Sequence, residues 1–258
     1  MSDFKLSVSK TKTFIDCKKK YNFTYILKMP RKEFAFHTLG KFCHKVLEDF
    51  HQLYIDGCKD PYNETFSKCF KNANVEYKDS MTPDMKKEAK EILVNYLNDL
   101  YVNDIVKKVL SVEKNFNLNI DNKVILNGMI DRIQMDDDNI IHVCDYKTTK
   151  DEKYLKNDFF QLLTYAYVLL CEDPTLEAVR GSYIMLRHGC KPITKVFPRE
   201  EILAIKDKYL NYVDTILSET QYEPNPTFLC KFCDHLALCP EGQEKTNTST
   251  VFGEVSWE

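Results

Sequence analysis

Residues 124–148, VILNGMIDRIQMDDDNIIHVCDYKT, decide the fold. They hold two apolar runs, and each carries one acid, Asp131 in the first and Asp145 in the second. Between the runs, Asp136-Asp-Asp-Asn139 has the composition of a hairpin loop. Val124–Gln134 and Ile140–Lys147 are therefore expected to be adjacent strands with both acids near one end. Asp145 and Lys147 lie two apart, so on a strand they share a face. Two carboxylates and a lysine converging at one edge of a sheet make a small divalent-metal site with a cation beside it.

The chain has 258 residues, of which 43% are hydrophobic, enough for one large cored domain and against global disorder. It has no run of 18 apolar residues and no signal-peptide pattern at Met1-Ser-Asp-Phe-Lys5, so a cytoplasmic protein without membrane contact is expected. The net charge of −3 suggests no nucleic-acid partner by itself, but the charge is unevenly spread. Between Lys5 and Lys32 stand nine Lys or Arg against the single acid Asp16, a local +8 of the kind that contacts phosphates or lines a solvated helix face.

Phe14, Cys17, Tyr21, Tyr25 and Ile26 recur at helical spacing, which predicts a helix over 7–28 capped by Ser7 or Ser9 and closed by Pro30. A second helix is expected over 36–55, with His44 and Glu48 four apart beside its apolar stripe. Residues 61–107 read as two helices divided at Thr82-Pro83, where Thr82 caps and Pro83 fits a first turn. Within the expected domain (1–240) they form a helical insertion, about 58–107, without obvious chemistry. A strand over 110–120, containing Glu113, leads through Asp121-Asn122 into the hairpin. After a polar connection (148–158) follow a helix over 159–171 with Gln161 and Tyr165 four apart, strands over 179–187 and 193–197, and an amphipathic helix over 200–218. Residues 241–258 read as a polar, flexible tail.

The chain has ten cysteines. In a cytosolic setting they argue for thiols or a metal rather than disulfides. Cys43, Cys58, Cys69, Cys144, Cys171 and Cys190 are scattered and read mostly as small buried hydrophobes. Cys230-x2-Cys233-x5-Cys239-Pro240 differs, because its spacing brings three thiolates to one centre. A fourth ligand is then needed. His235 would make a Cys3His zinc site, whereas Cys17 would make an all-thiolate site suited to zinc or iron–sulfur.

These residues together resemble the RecB-type branch of the PD-(D/E)XK nuclease superfamily, in particular its iron–sulfur members, which include the fourth CRISPR-associated protein family, the AddB nuclease domain and viral relatives. The resemblance runs from Ser7 to Pro240. Its elements come in the family's order: Phe14-x-x-Cys17-x-x-x-Tyr21, Gly40-x-x-x-His44, Gly128-x-Ile-Asp131-Arg132, Asp145-Tyr-Lys147-Thr148, Gln161-x-x-x-Tyr165 and the cysteine run. One departure is Lys18 after Cys17, where the family usually has proline.

The resemblance implies an α/β fold, a restriction-endonuclease-like core with a central mixed sheet flanked by helices, and a cysteine-ligated cluster joining the N- and C-terminal segments. His44, Asp131, Asp145 and the Tyr146 carbonyl would hold Mg2+ or Mn2+. Lys147 would stand beside the scissile phosphate, and Gln161 and Tyr165 would line the site and contact the DNA strand. Cys17, Cys230, Cys233 and Cys239 would ligate a 4Fe-4S cluster, leaving His235 a bystander. Glu113 falls where some members have an additional carboxylate; its other reading is a solvated strand face. Glu48 is expected behind His44 or on the helix face.

The implied activity is metal-dependent hydrolysis of DNA, as an exonuclease on single strands or ends. The alternative is a DNA-end-binding adaptor in a recombination, replication or CRISPR-adaptation complex. The sequence has no Gly-x4-Gly-Lys-Ser/Thr motif, so a separate helicase, recombinase or integrase is the expected partner, in a bacterial, archaeal or virus-infected cell.

Overall fold

The computed structural model describes residues 4–32, 34–151 and 157–251. The chain divides into two compact units, the larger comprising Phe34–Ile120 and Leu126–Asp207 and the smaller the remaining segments.

The larger unit has a mixed sheet flanked by helices. Its strands are β2 (Val109–Ile120), β3 (Val124–Met135, whose first two residues cluster with the smaller unit), β4 (Ile141–Lys147), β5 (Ala178–Met185) and β6 (Lys191–Pro198). β2 pairs with β3, and β3-β4-β5-β6 follow in order. The expected hairpin forms, with antiparallel register Arg132 to Cys144 and Met135 to Ile141 around the 136–139 loop. The β4–β5 pair is parallel and the β5–β6 pair antiparallel. Parallel pairing requires a crossover, and α6 (Phe160–Glu172) supplies it.

Three helices, α3 (Ala35–Ile55), α4 (Tyr62–Glu76) and α5 (Pro83–Asn103), build the main core, and Cys144, Tyr146, Ile184 and Leu186 of the sheet and its following turn belong to that core. The strand period of two sends Asp145 and Lys147 to the other face, toward α6. The division at Thr82-Pro83 is as expected, with Thr82 Oγ1 accepting from the Met85 amide at 3.3 Å. Two glycines matter for close approach. A Cβ on Gly128 would lie 2.6 Å from Phe116, and one on Gly40 would lie 3.1 Å from the Thr148 hydroxyl. The bare backbone at Gly40 thus lets α3 reach the end of β4.

The smaller unit contains β1 (Phe4–Leu6), α1 (Val8–Asp16), α2 (Lys18–Tyr21), a π-helical turn at Asn22–Ile26 and a C-terminal helix α9 (Pro240–Val251). The single helix expected over 7–28 is broken. Cys17 adopts an extended conformation (φ −162, ψ 109), and its sulfur caps the second piece by accepting from the Lys20 amide at 3.5 Å. The helix expected over 200–218 is likewise two, α7 (Arg199–Leu203) and α8 (Ile205–Ser218). Helix α9 occupies the start of the segment expected to be a flexible tail, and residues 252–258 lie outside the described residues, as do 152–156 of the polar connection. Among the described residues, no helix is long and apolar enough to cross a membrane.

Candidate active site

His44, Glu113 and Asp131 come together in the larger unit, with one donor atom from each within 4.8 Å of the others. Helix α3 delivers His44, β3 delivers Asp131, and β2 delivers Glu113. Glu113 gets there by a local departure from strand geometry, since its φ of 45 is left-handed inside β2. His44 Nε2 donates to the Tyr146 carbonyl at 3.0 Å, and Nδ1 lies 3.5 Å from Asp131 Oδ2. In the neutral ring, donation from Nε2 leaves the Nδ1 lone pair on the side of the acids, where a metal could take it. Asp131 Oδ2 also accepts from the Tyr146 amide at 2.7 Å, so the backbone of one residue touches both metal-type side chains.

Asp145 and Lys147 stand beside this group. Lys147 Nζ is 2.6 Å from Asp145 Oδ2, donates to Gln161 Oε1 at 2.9 Å, and lies 5.2 Å from the Tyr183 ring centre. Gln161 donates through Nε2 to Asp145 Oδ1 at 2.6 Å and to the Tyr165 hydroxyl at 2.7 Å. The pair four apart on α6 thus orders the carboxylate and the lysine, as one helix face facing a sheet can do. Glu48 pairs with Lys45 at 3.2 Å.

The acids are strained by this crowding. Burial, followed by the charge of Asp145, raises Asp131 from 3.8 to about 6. Burial, followed by the charge of Asp131, raises Glu113 from 4.5 to about 7. Between pH 4 and 7 the folded metal-free protein therefore binds more protons at these groups than the unfolded chain does. These two groups lower stability as pH rises through about 4 to 7. A metal ion reverses that balance by favouring the ionised forms. The expected outcome is that Mn2+ raises Tm more at pH 7.5 than at pH 5. Metal-free wild type should also lose Tm over that window relative to an Asp131→Asn/Glu113→Gln variant. Differential scanning calorimetry at the two pH values measures both.

The four cysteines singled out as cluster ligands lie in the smaller unit. Cys17, Cys230, Cys233 and Cys239 line a single cavity together with Lys20 and His235, and all four are free thiols. Gly242 closes on them, since a Cβ there would be 3.3 Å from Cys239 Sγ. His235 is 1% exposed, and its Nε2 is engaged with the Thr24 hydroxyl at 2.9 Å. The basic segment is partly neutralised locally, because Lys18 pairs with Glu219 at 2.5 Å and Lys19 with Glu241 at 2.9 Å. Phe14 and Tyr21 are buried and pack edge to face at 5.2 Å, so these two serve the core.

Sequence comparison gives the family. Residues 5–240 match the model of the PD-(D/E)XK nuclease superfamily. The chain belongs to this superfamily. Within it the resemblance to the RecB-type branch holds, since the curated relatives include an ATP-dependent helicase/deoxyribonuclease component from Streptococcus pyogenes serotype M6, 25% identical over 158 residues, which cover 57% of this chain and 14% of that protein. The serotype M3 counterpart is 24% identical over an equal span. The chain therefore matches only a small part of the length of these relatives. Among solved structures, a "Putative exonuclease" from Eubacterium rectale aligns with a TM-score of 0.52 at 13% identity, covering 89% of this chain and 86% of that one, which shows a shared fold.

Sequence alone leaves Glu113 open, and the structure brings it in. The signal it lacks is the positive φ, which no residue pattern announces at a glutamate.

Proposed function

We propose that this protein is a divalent-metal-dependent deoxyribonuclease that hydrolyses phosphodiester bonds, acting on single-stranded DNA or DNA ends, and as an exonuclease more than an endonuclease. The observation that carries the reading is the convergence of His44, Glu113 and Asp131 on one point, with the Asp145–Lys147 pair beside it.

Three carboxylates and one imidazole form a largely oxygen donor set that fits Mg2+ or Mn2+, with the imidazole favouring tolerance of Mn2+. His44, Asp131, Glu113 and Asp145 are the residues that would hold the ion, whereas the Tyr146 carbonyl, expected as a further donor, here accepts from His44 Nε2 on the side of the ring away from the acids. Bound there, it would polarise the phosphate and lower the pKa of a water. Lys147, held by Asp145 and Gln161, would orient the attacking water or offset charge on the pentacovalent phosphate. Gln161 and Tyr165 would keep Asp145 and Lys147 in register along the DNA strand. The deoxyribonuclease and helicase in the name of the S. pyogenes relatives support DNA as substrate and a separate motor as partner.

The test is cleavage of end-labelled linear and circular single-stranded DNA with Mg2+ or Mn2+. Loss of linear substrate with intact circles is expected. Rapid cutting of circles would instead make the enzyme an endonuclease, and metal-independent cutting would refute the reading.

We also propose that Cys17, Cys230, Cys233 and Cys239 hold a 4Fe-4S cluster. Four sulfur donors around one cavity fit it, with Lys20 at the edge to offset the charge of a thiolate-rich group. His235 Nε2 is engaged with the Thr24 hydroxyl while its Nδ1 has no hydrogen-bond partner, so it is the family resemblance, with Cys17 at the same cavity, that selects Cys17 as the fourth ligand. Cys17→Ala should lose both absorbance near 400 nm and thermal stability, read from the ultraviolet–visible spectrum and a melting curve. A colourless wild type carrying one zinc ion would refute the cluster.

A further inference from the structure

We infer that helix α5 is a positioning element of the nuclease site, acting through Tyr96 and Arg132 to fix the backbone of Tyr146 between His44 and Asp131. The inference rests on the nuclease reading above and extends it to a helix that carries no residue of the site itself.

Arg132 follows Asp131 on β3 and points to the opposite face, where it is 2% exposed. Its Nη1 donates to the Tyr96 hydroxyl at 2.5 Å and the Tyr146 hydroxyl at 3.0 Å, and its Nη2 to Cys144 Sγ at 3.2 Å. No carboxylate is among these partners. A buried guanidinium held by neutral groups is a costly way to fill a core, and apolar residues of similar volume would do it more favourably. The arrangement makes sense as a constraint on Tyr146. The guanidinium holds that side chain by its hydroxyl on one face of the sheet. On the other side, its amide donates to Asp131 at 2.7 Å and its carbonyl accepts from His44 at 3.0 Å. A residue fixed at its side-chain tip and at both polar backbone atoms holds the two peptide groups that flank it in place beside the site.

Tyr96 is where α5 enters. Its hydroxyl is 2.6 Å from His51 Nε2 and 3.1 Å from the Tyr146 hydroxyl, as well as accepting from Arg132. His51 lies on α3, the helix that carries His44. One hydroxyl therefore joins α3, α5, β3 and β4 directly behind the site. A second tie from the same helix reaches the residue just past the C-terminal end of β4. Glu88 pairs with Arg187, whose Nε donates to the Thr148 carbonyl, next to Lys147. Both ties end on residues flanking the reacting groups, and a helix that merely covered the sheet would need neither.

Tyr96→Phe removes the hydroxyl and keeps the ring, and Tyr146→Phe removes the other anchor while keeping the peptide. Mn2+ affinity, from the electron paramagnetic resonance of free Mn2+, is measured with kcat and KM on single-stranded DNA and with Tm. In both variants, Mn2+ affinity should weaken about tenfold and kcat should fall, with KM unchanged, as for supporting shells of metal ligands. Wild-type Mn2+ affinity and kcat with only a lowered Tm would make the network structural and overturn the inference. Should Tyr96→Phe not fold, Glu88→Ala, whose side chain is 40% exposed, is the second arm. There a fall in kcat at unchanged KM is expected, and unchanged kcat counts against the inference. Failure of the wild type to bind Mn2+ or cleave DNA would refute the nuclease reading instead.

Discussion

Asp131→Asn should reduce metal-dependent cleavage at least about a hundredfold while making the metal-free protein more stable. The two effects have one cause. Asp131 is 9% exposed and sits close enough to Asp145 for that charge to raise its pKa, so its ionised form is disfavoured until a cation is bound. Asparagine keeps an oxygen to accept from the Tyr146 amide but brings no charge. Relief of even about 1 kcal/mol in a chain of this size corresponds to a Tm higher by about 2–4 °C. A variant that is both inactive and less stable would show that Asp131 serves the fold more than the metal. Calorimetry of the metal-free protein beside a cleavage assay separates the cases.

Lys147→Met should lower kcat by roughly a hundred- to a thousandfold with little change in Mn2+ affinity. Lys147 is no metal donor; it is a cation held by Asp145 and Gln161 beside the site. Methionine keeps most of the aliphatic stem against Tyr183 and deletes the charge, so the loss reports on chemistry rather than packing. Single-turnover rates with saturating Mn2+ give the effect directly. A variant that cleaved at the wild-type rate would exclude Lys147 from the reaction.

The central hairpin was legible because everything that defines it is local: two apolar runs, four turn residues between them, and a carboxylate and a lysine two apart. The Thr82-Pro83 division was legible for the same reason. Glu113 was ambiguous because its role depends on one left-handed backbone angle, and a glutamate on an alternating strand looks the same whether it points to solvent or into a site. The break at Cys17 was hidden because the apolar spacing around it remains helical while the residue itself is extended. Tyr96 was hidden more deeply. A tyrosine in an apolar helical stripe reads as core, and only the partners of its hydroxyl distinguish packing from positioning. Arg132, a cation inside the run Met129-Ile-Asp-Arg-Ile133, was the one available clue.

The most direct test measures single-turnover cleavage of linear single-stranded DNA against Mn2+ concentration, beside equilibrium Mn2+ binding, in wild type and Asp131→Asn. The rate should saturate with the same constant as the binding, and both should vanish in the variant. Cleavage that persists in excess EDTA, or an Asp131→Asn protein that cuts at the wild-type rate, would contradict the assignment of His44, Glu113 and Asp131 as the metal-holding centre.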